Sequence, residues 1–264
     1  MLTYRTFVGA LRDVGLSRDS RVLAHASMAR FPPVAGGEEA VLGALLATCG
    51  TLMMPAFTRR TMVIPAVGPP DNGLTYGADN RFAETFDAQM AADADMGALA
   101  EVLRRHPAAR RSGHPVFSFV GVNADEFLDA QSLSDPLGPV ARLAEADGDV
   151  LLLGADQTVN VTLHHAEQVA GRKQFTRWAL TRQGVVTCPN APGCSHGFGA
   201  IEPRLGGVVR ETEVGGGLLQ SFPVRDLVHV AVAWMHEDPH ALLCDRPDCE
   251  RCRDIRAWLD SATR

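Results

Sequence analysis

A layered α/β fold is predicted by two features of the chain. Short β-branched and apolar runs alternate with helical patterns, and no internal repeat or low-complexity stretch interrupts them. Its 264 residues, 46% of them hydrophobic and 21% charged, have the balance of an ordinary globular protein with enough material for a sizeable core.

The elements follow in order. Met1 to Gly15 has an amphipathic helical pattern with Leu2, Phe7, Leu11 and Val14 on one face. Arg21 to His25 reads as a strand, Gly37 to Thr48 as a helix with Val41, Leu42 and Leu45 inward, and Thr51 to Met54 as a strand closed by Pro55. Met96 to Arg105 is a helix, Val116 to Val120 a strand, Pro139 to Ala146 a helix and Asp149 to Leu153 a strand. Val159 to Ala170 and Arg225 to His236 complete the helices. Between these lies the irregular segment 59–94, rich in Gly, Pro, Asp and Asn, which is expected to be a functional lid or insertion. Beyond Lys173 the regularity falls and Gly, Pro and Cys accumulate. Residues 173–264 are therefore read as a smaller, Cys-rich part of one domain spanning 1–264.

A net charge of −6 argues against a nucleic-acid partner, which needs a basic face. It suits a cationic or neutral small molecule, and equally plain solubility. The N-terminal helix lacks the apolar core of a signal peptide and no run is fit to cross a bilayer, so no membrane partner and a cytoplasmic location are expected. Six cysteines in that compartment point to thiols or metal ligands rather than disulfides. Oligomeric state is not encoded legibly.

Three constellations carry chemistry. In the first, His25-Ala26-Ser27 ends a strand and Val34-Ala35-Gly36-Gly37 opens a helix. Such a turn presents backbone N–H groups to an anion, although an ordinary strand-to-helix turn has the same composition. The second is Arg111-Ser112-Gly113-His114-Pro115, where an arginine beside a hydroxyl can clamp a phosphate or carboxylate. In the third, a buried strand runs into Asn160-Val161-Thr162-Leu163-His164-His165-Ala166-Glu167. His164 and Glu167 stand three apart on one helical face, and a histidine oriented by a carboxylate is a proton acceptor. The spacing alone leaves His165 as an alternative.

These motifs, with Gly50-Thr51-Leu52-Met53-Met54-Pro55 and Asp95-Met96-Gly97, resemble the aminoglycoside 3-N-acetyltransferase family in its own order from Arg21 to Cys252. The resemblance implies a three-layer α/β/α sandwich, distinct from the GCN5-like acetyltransferase fold, with a small Cys-containing C-terminal subdomain. It implies acetyl-CoA as acyl donor, held by Ser27, Val34, Gly36 and Gly37, with Arg111, Ser112 and His114 walling the cofactor cleft. The family pattern Gly-x-x-His-x-x-Asn-Thr-Thr-Leu-His-x-Ala-Glu selects His164 as the base, with Glu167, Asn160 and Thr162 around it. The chain departs from that pattern at Gln157, where the family commonly has histidine, at Val161 for threonine, and at Ala26 for serine. The implied reaction is direct acetylation of the 3-amino group of 2-deoxystreptamine aminoglycosides, giving antibiotic resistance. The alternatives are the same chemistry on a biosynthetic amine or aminonucleotide, and a catalytically degenerate zinc-stabilised binding module.

The acidic insertion, with Asp79 and the flanking Asp95 foremost, together with Gln157, is the expected contact for a cationic aminosugar. Cys188, Cys194, Cys244, Cys249 and Cys252 offer five thiols for four places in a structural zinc site, or remain free thiols. Resemblance to relatives implies a stabilising metal remote from the chemistry. Cys49 is expected in the core.

Overall fold

The computed structural model describes residues 1–262. Three parallel strands, β1 (Arg21–Ala26), β2 (Thr51–Pro55) and β6 (Asp149–Leu153), form the centre of the main sheet. Beyond β2 lie β5 (Phe119–Val122) and β4 (Arg110–Arg111), both added antiparallel. Beyond β6 come β10 (Gly217–Pro223) and β9 (Arg210–Val214), again antiparallel. The sheet order is β4-β5-β2-β1-β6-β10-β9.

Central parallel strands are apolar on both faces, so each must be covered twice. On β1, Val22 and Ala24 point to one side and Leu23 to the other; on β6, Leu151 and Leu153 oppose Val150 and Leu152. One face packs on α1 (Tyr4–Asp13), α2 (Gly37–Thr48) and α3 (Ala98–Arg105). The other packs on α5 (Gly138–Glu145), α6 (Thr162–Val169) and α7 (Val224–Glu237), with the one-turn α4 (Asp125–Leu128) beside them. The α/β/α sandwich follows directly from this two-sided pattern.

A second sheet of three antiparallel strands, β3 (Met62–Val63), β7 (Phe175–Thr181) and β8 (Gly184–Ala191), is built from the insertion and the first part of 173–264. The same region supplies β9 and β10 to the main sheet and ends in α8 (Glu250–Ala262). The insertion is tied at its neck. Asp93 accepts the backbone N–H of Arg59 at 2.7 Å and pairs with the Arg60 guanidinium at 3.1 Å, while its own N–H reaches Phe57 O at 2.8 Å.

Three boundaries differ from expectation. The first helix begins at Tyr4, where Thr3 and Thr6 form a reciprocal cap, and Leu2 instead bridges to Val34. The strand expected over 116–120 forms at Phe119–Val122, because His114 Nδ1 takes the N–H groups of Val116 and Phe117 and bends the chain there. The helix expected from Val159 is preceded by a separate 3-10 turn, Gln157–Val159, capped by Asp156. No helix among the described residues is long and apolar enough to cross a membrane.

Candidate active site

The strand order reverses at β1, which has β2 on one side and the later β6 on the other. In open α/β sheets the crevice beyond the carboxyl ends of such strands is where ligands bind. Here Ser27 N–H donates to Leu153 O at 2.9 Å, joining the two strand ends. Gly154 follows with φ +60, and a Cβ there would lie 2.9 Å or less from Phe31 and Arg30. The crevice opens into a cleft of about 1470 Å3. Its walls come from Ser27 and Arg30 after β1, Glu38 at the start of α2, and Asn160 and His164 leading into α6. The insertion contributes Met62, Ile64 and Leu74, and the Cys-rich part contributes Ser195, His196 and Cys249.

His164 sits on this wall with its Nδ1 2.8 Å from Glu167 Oε2. Glu167 is buried, and its other oxygen accepts from Arg172 Nη1 at 3.0 Å. Arg172 is fixed in turn by donating Nη2 to Pro239 O at 2.8 Å and Ala241 O at 2.9 Å. A carboxylate oxygen fixed in this way accepts the Nδ1–H hydrogen bond of His164 and leaves Nε2 as the ring nitrogen with a free lone pair. The edge-to-face ring of Phe198, 4.7 Å away, fixes the imidazole from the side.

The start of α6 is built by polar side chains. Asn160 Oδ1 accepts the Thr162 N–H at 3.1 Å while its Nδ2 donates to Gln157 Oε1 at 2.8 Å. Thr162 Oγ1 and Gln157 Nε2 are buried without a protein partner. Across from them His25, on β1, accepts the Val161 N–H at Nε2 over 3.4 Å. Burial pushes the His25 imidazole down to about 3, so it is neutral.

Residues 23–236 match the family described as aminoglycoside 3-N-acetyltransferase. The chain belongs to this family. Its relatives include aminoglycoside N(3)-acetyltransferase VII of Streptomyces paromomycinus, 32% identical over 86% of this chain and 89% of that protein. The aminoglycoside acetyltransferase AAC(3)-IVa apoenzyme superposes with a TM-score of 0.78 at 27% identity, covering 97% of both chains. A point variant of that protein in complex with a gentamicin gives 0.75 at 26% identity, again over 97% of both.

In this acetyltransferase His164, Asn160 and Ser27 line the cleft together, as does Asp95, whose carboxylate is paired with Arg59. Glu167 and Thr162 stand directly behind the wall. Other expected residues lie elsewhere. Gly36 and Gly37, at φ +82 and +59, shape the α2 start, and the next residue, Glu38, is the one that meets the cleft. Val34 packs against the N-terminal segment through its bridge to Leu2. Gln157 is buried and reaches the site only through Asn160. Asp79 is paired with Arg81 away from the cleft wall.

The Arg111 motif does not wall the cleft, contrary to expectation. Arg111 spends its guanidinium on Ser118 Oγ at 2.9 Å and on the carbonyls of Met90 and Ala56 at 2.6 and 2.5 Å, stacked near Phe86. Ser112 Oγ is closed against Phe119 N and O, and His114 holds the turn described above. These residues form a buried latch between β5 and the insertion, because Arg111 and Ser112 use their polar groups on nearby protein atoms. Sequence reasoning missed Arg172 and Phe198. Arg172 had a faint signal, lying five residues after Glu167 at the helix end, and Phe198 had none.

The cysteines divide cleanly. The sulfurs of Cys194, Cys244, Cys249 and Cys252 lie within 4.8 Å of one another, with Cys194 and Cys244 3.8 Å apart. A tetrahedron with arms of about 2.3 Å has edges of about 3.8 Å, which the Cys194–Cys244 pair matches and the whole set approaches, so the four thiols suit a zinc ion. Hydrogen bonds from Cys252 and His196 hold the Cys194 thiol well below its usual range, favouring the thiolate a metal needs. Cys188 is the one left out. It sits in the core on β8, and burial pushes its thiol up to about 11. Cys249, with Ser195 and His196, borders the cleft that His164 also lines.

Proposed function

We propose that the enzyme transfers the acetyl group of acetyl-CoA directly to the 3-amino group of a 2-deoxystreptamine aminoglycoside, with His164 as general base. The observation that carries the reading is the His164–Glu167–Arg172 chain, buried on one side and open to the cleft on the other. An amine is mostly protonated near neutral pH and must shed a proton to attack a thioester. The nitrogen–carbon bond forms, the carbon–sulfur bond breaks, and the proton goes from nitrogen to His164 Nε2, which can return it to the departing thiolate. The imidazolium so formed sits against the Glu167 side chain, 2.8 Å from Nδ1.

Room and charge support two substrates. A cleft of about 1470 Å3 exceeds the few hundred to about 1,000 Å3 that one drug-sized ligand occupies. Arg30 on the cleft wall suits the phosphates of the acyl donor. Asp156 and Glu250 supply carboxylates for an aminosugar's ammonium groups. Acetylation removes one of those positive charges, which is the basis of resistance. Such an enzyme works where acetyl-CoA is available, in the cytoplasm. Zinc on Cys194, Cys244, Cys249 and Cys252 would staple α8 to the loops beneath it and supply stability rather than chemistry.

Thiol release from acetyl-CoA, followed with a panel of aminoglycosides, tests the reading. Release with several of them, lowered by about 10²- to 10⁴-fold in His164→Ala, is the expected result. Release only with some other amine would reassign the acceptor. Undiminished release by His164→Ala would remove the base.

A further inference from the structure

The reaction places negative charge on the acyl oxygen as the amine attacks, and the residues described so far handle only the proton. An oxyanion needs a fixed hydrogen-bond donor pointing into the cleft, preferably one that stays neutral and needs no reorganisation. His25 meets these conditions from its position in the sheet. It is the penultimate residue of β1, with Leu23 on the same face by strand alternation, and that face carries α6. It lines the cleft that holds His164.

We propose that His25 is the oxyanion donor, giving its Nδ1–H to the acyl carbonyl of the donor thioester while His164 takes the amine proton. The tautomer is set by the backbone. Val161 N–H points at His25 Nε2, so that nitrogen is the acceptor and the ring proton resides on Nδ1. Among the described residues no protein acceptor is bonded to His25 Nδ1, and this atom is not sealed from the cleft as Thr162 Oγ1 and Gln157 Nε2 are. Val161 is also the residue whose carbonyl accepts the His164 N–H at 3.1 Å. Val161 therefore bonds the His25 ring through its N–H and the His164 backbone through its C=O, while the His164 ring itself is held by Glu167. Burial keeps His25 neutral at working pH, so it donates a hydrogen bond without competing for the amine's proton.

During the step the amine lone pair forms the N–C bond and the carbonyl π pair moves onto oxygen, where the His25 N–H bonds it. Collapse returns that pair and expels the thiolate. His25 gains and loses no proton. The inference rests on the acyltransferase reading of the cleft but not on which amine is accepted.

The test uses a ketone analogue of acetyl-CoA, in which CH2 replaces the sulfur and the carbonyl carbon is 13C-labelled. On binding wild-type protein the carbonyl resonance is expected to move downfield, as a polarised carbonyl does. That shift should be lost in His25→Phe and kept in His164→Ala, while kcat of His25→Phe falls by about 10²- to 10³-fold with little change in KM. A second measurement needs no variant: in wild-type protein labelled with [15N]histidine, the His25 Nδ1–H proton should move downfield when the analogue binds. A shift kept in His25→Phe, or an Nδ1–H signal indifferent to the analogue, overturns the proposal and leaves the acyltransferase reading standing. An analogue that does not bind wild-type protein overturns both.

Discussion

Glu167 is the residue on which the active site's geometry turns, accepting from His164 and Arg172 on opposite oxygens. Removing Arg172 would leave a buried carboxylate without its countercharge and two backbone carbonyls without a donor. Losing one partner of such a pair costs about 3–5 kcal/mol. Arg172→Met is therefore expected to lower the melting temperature and, where folded, to lower kcat while the KM for acetyl-CoA changes little. Steady-state kinetics beside a thermal melt would show both. The carboxylate beside His164 was legible from a spacing of three in a helix, but Arg172 was not. Its role depends on the chain doubling back after α6 to meet the carbonyls of Pro239 and Ala241, some seventy residues later.

Secondary elements place the site where strand ends meet helix starts, and Gly154 is a tight junction of this kind at the cleft. Its left-handed φ and the crowding of Phe31, Arg30 and Ser27 O against any added carbon leave no room for a side chain. Gly154→Ala should destabilise by about 1–3 kcal/mol and raise the KM for acetyl-CoA, read from a urea midpoint and initial rates. At this scale the sequence was most readable where apolar period and caps agreed. The helix Gly37–Thr48 and the strand Asp149–Leu153 form within the limits expected of them. Strands β7 and β9 went unseen because their inward positions break the apolar pattern. Arg177 points into the protein on β7, and β9 is the edge sequence Arg-Glu-Thr-Glu-Val. The Arg111 motif was recognisable but its use was not. Whether a guanidinium faces a ligand or its own backbone depends on a fold-back that no local pattern records.

Two whole-molecule properties follow from buried groups. His25 and His114 are held neutral by burial, His25 at about 3 and His114 at about 4, against 6.5 for the ordinary side chain. In the unfolded chain both bind a proton below pH 6.5, and in the folded protein they do not. The stability they contribute is thus complete above that pH and is lost as pH falls toward the folded values. Between about pH 7 and 5 the loss is about 2 kcal/mol per histidine, measurable as a falling urea midpoint that flattens in His114→Gln. The thiol cluster adds a second dependence. Purified protein should carry about one zinc per chain, and chelation should lower the melting temperature, because Cys194, Cys244, Cys249 and Cys252 join three separate segments. Since Cys249 borders the cleft, chelation should also raise the KM for the amine. Absence of zinc by elemental analysis would reduce the cluster to free thiols.

The clasp at Asp93 has a bearing on how such enzymes diversify. With Arg59 and Arg60 gripping one carboxylate, the feet of the 59–94 excursion stand together whatever length of chain rises between them. Lengthening a tethered loop costs only about 0.6 kcal/mol per doubling. Descendants of this scaffold are free to rewrite the excursion while inheriting, unaltered, the strand ends beneath it and the His164 wall of the cleft.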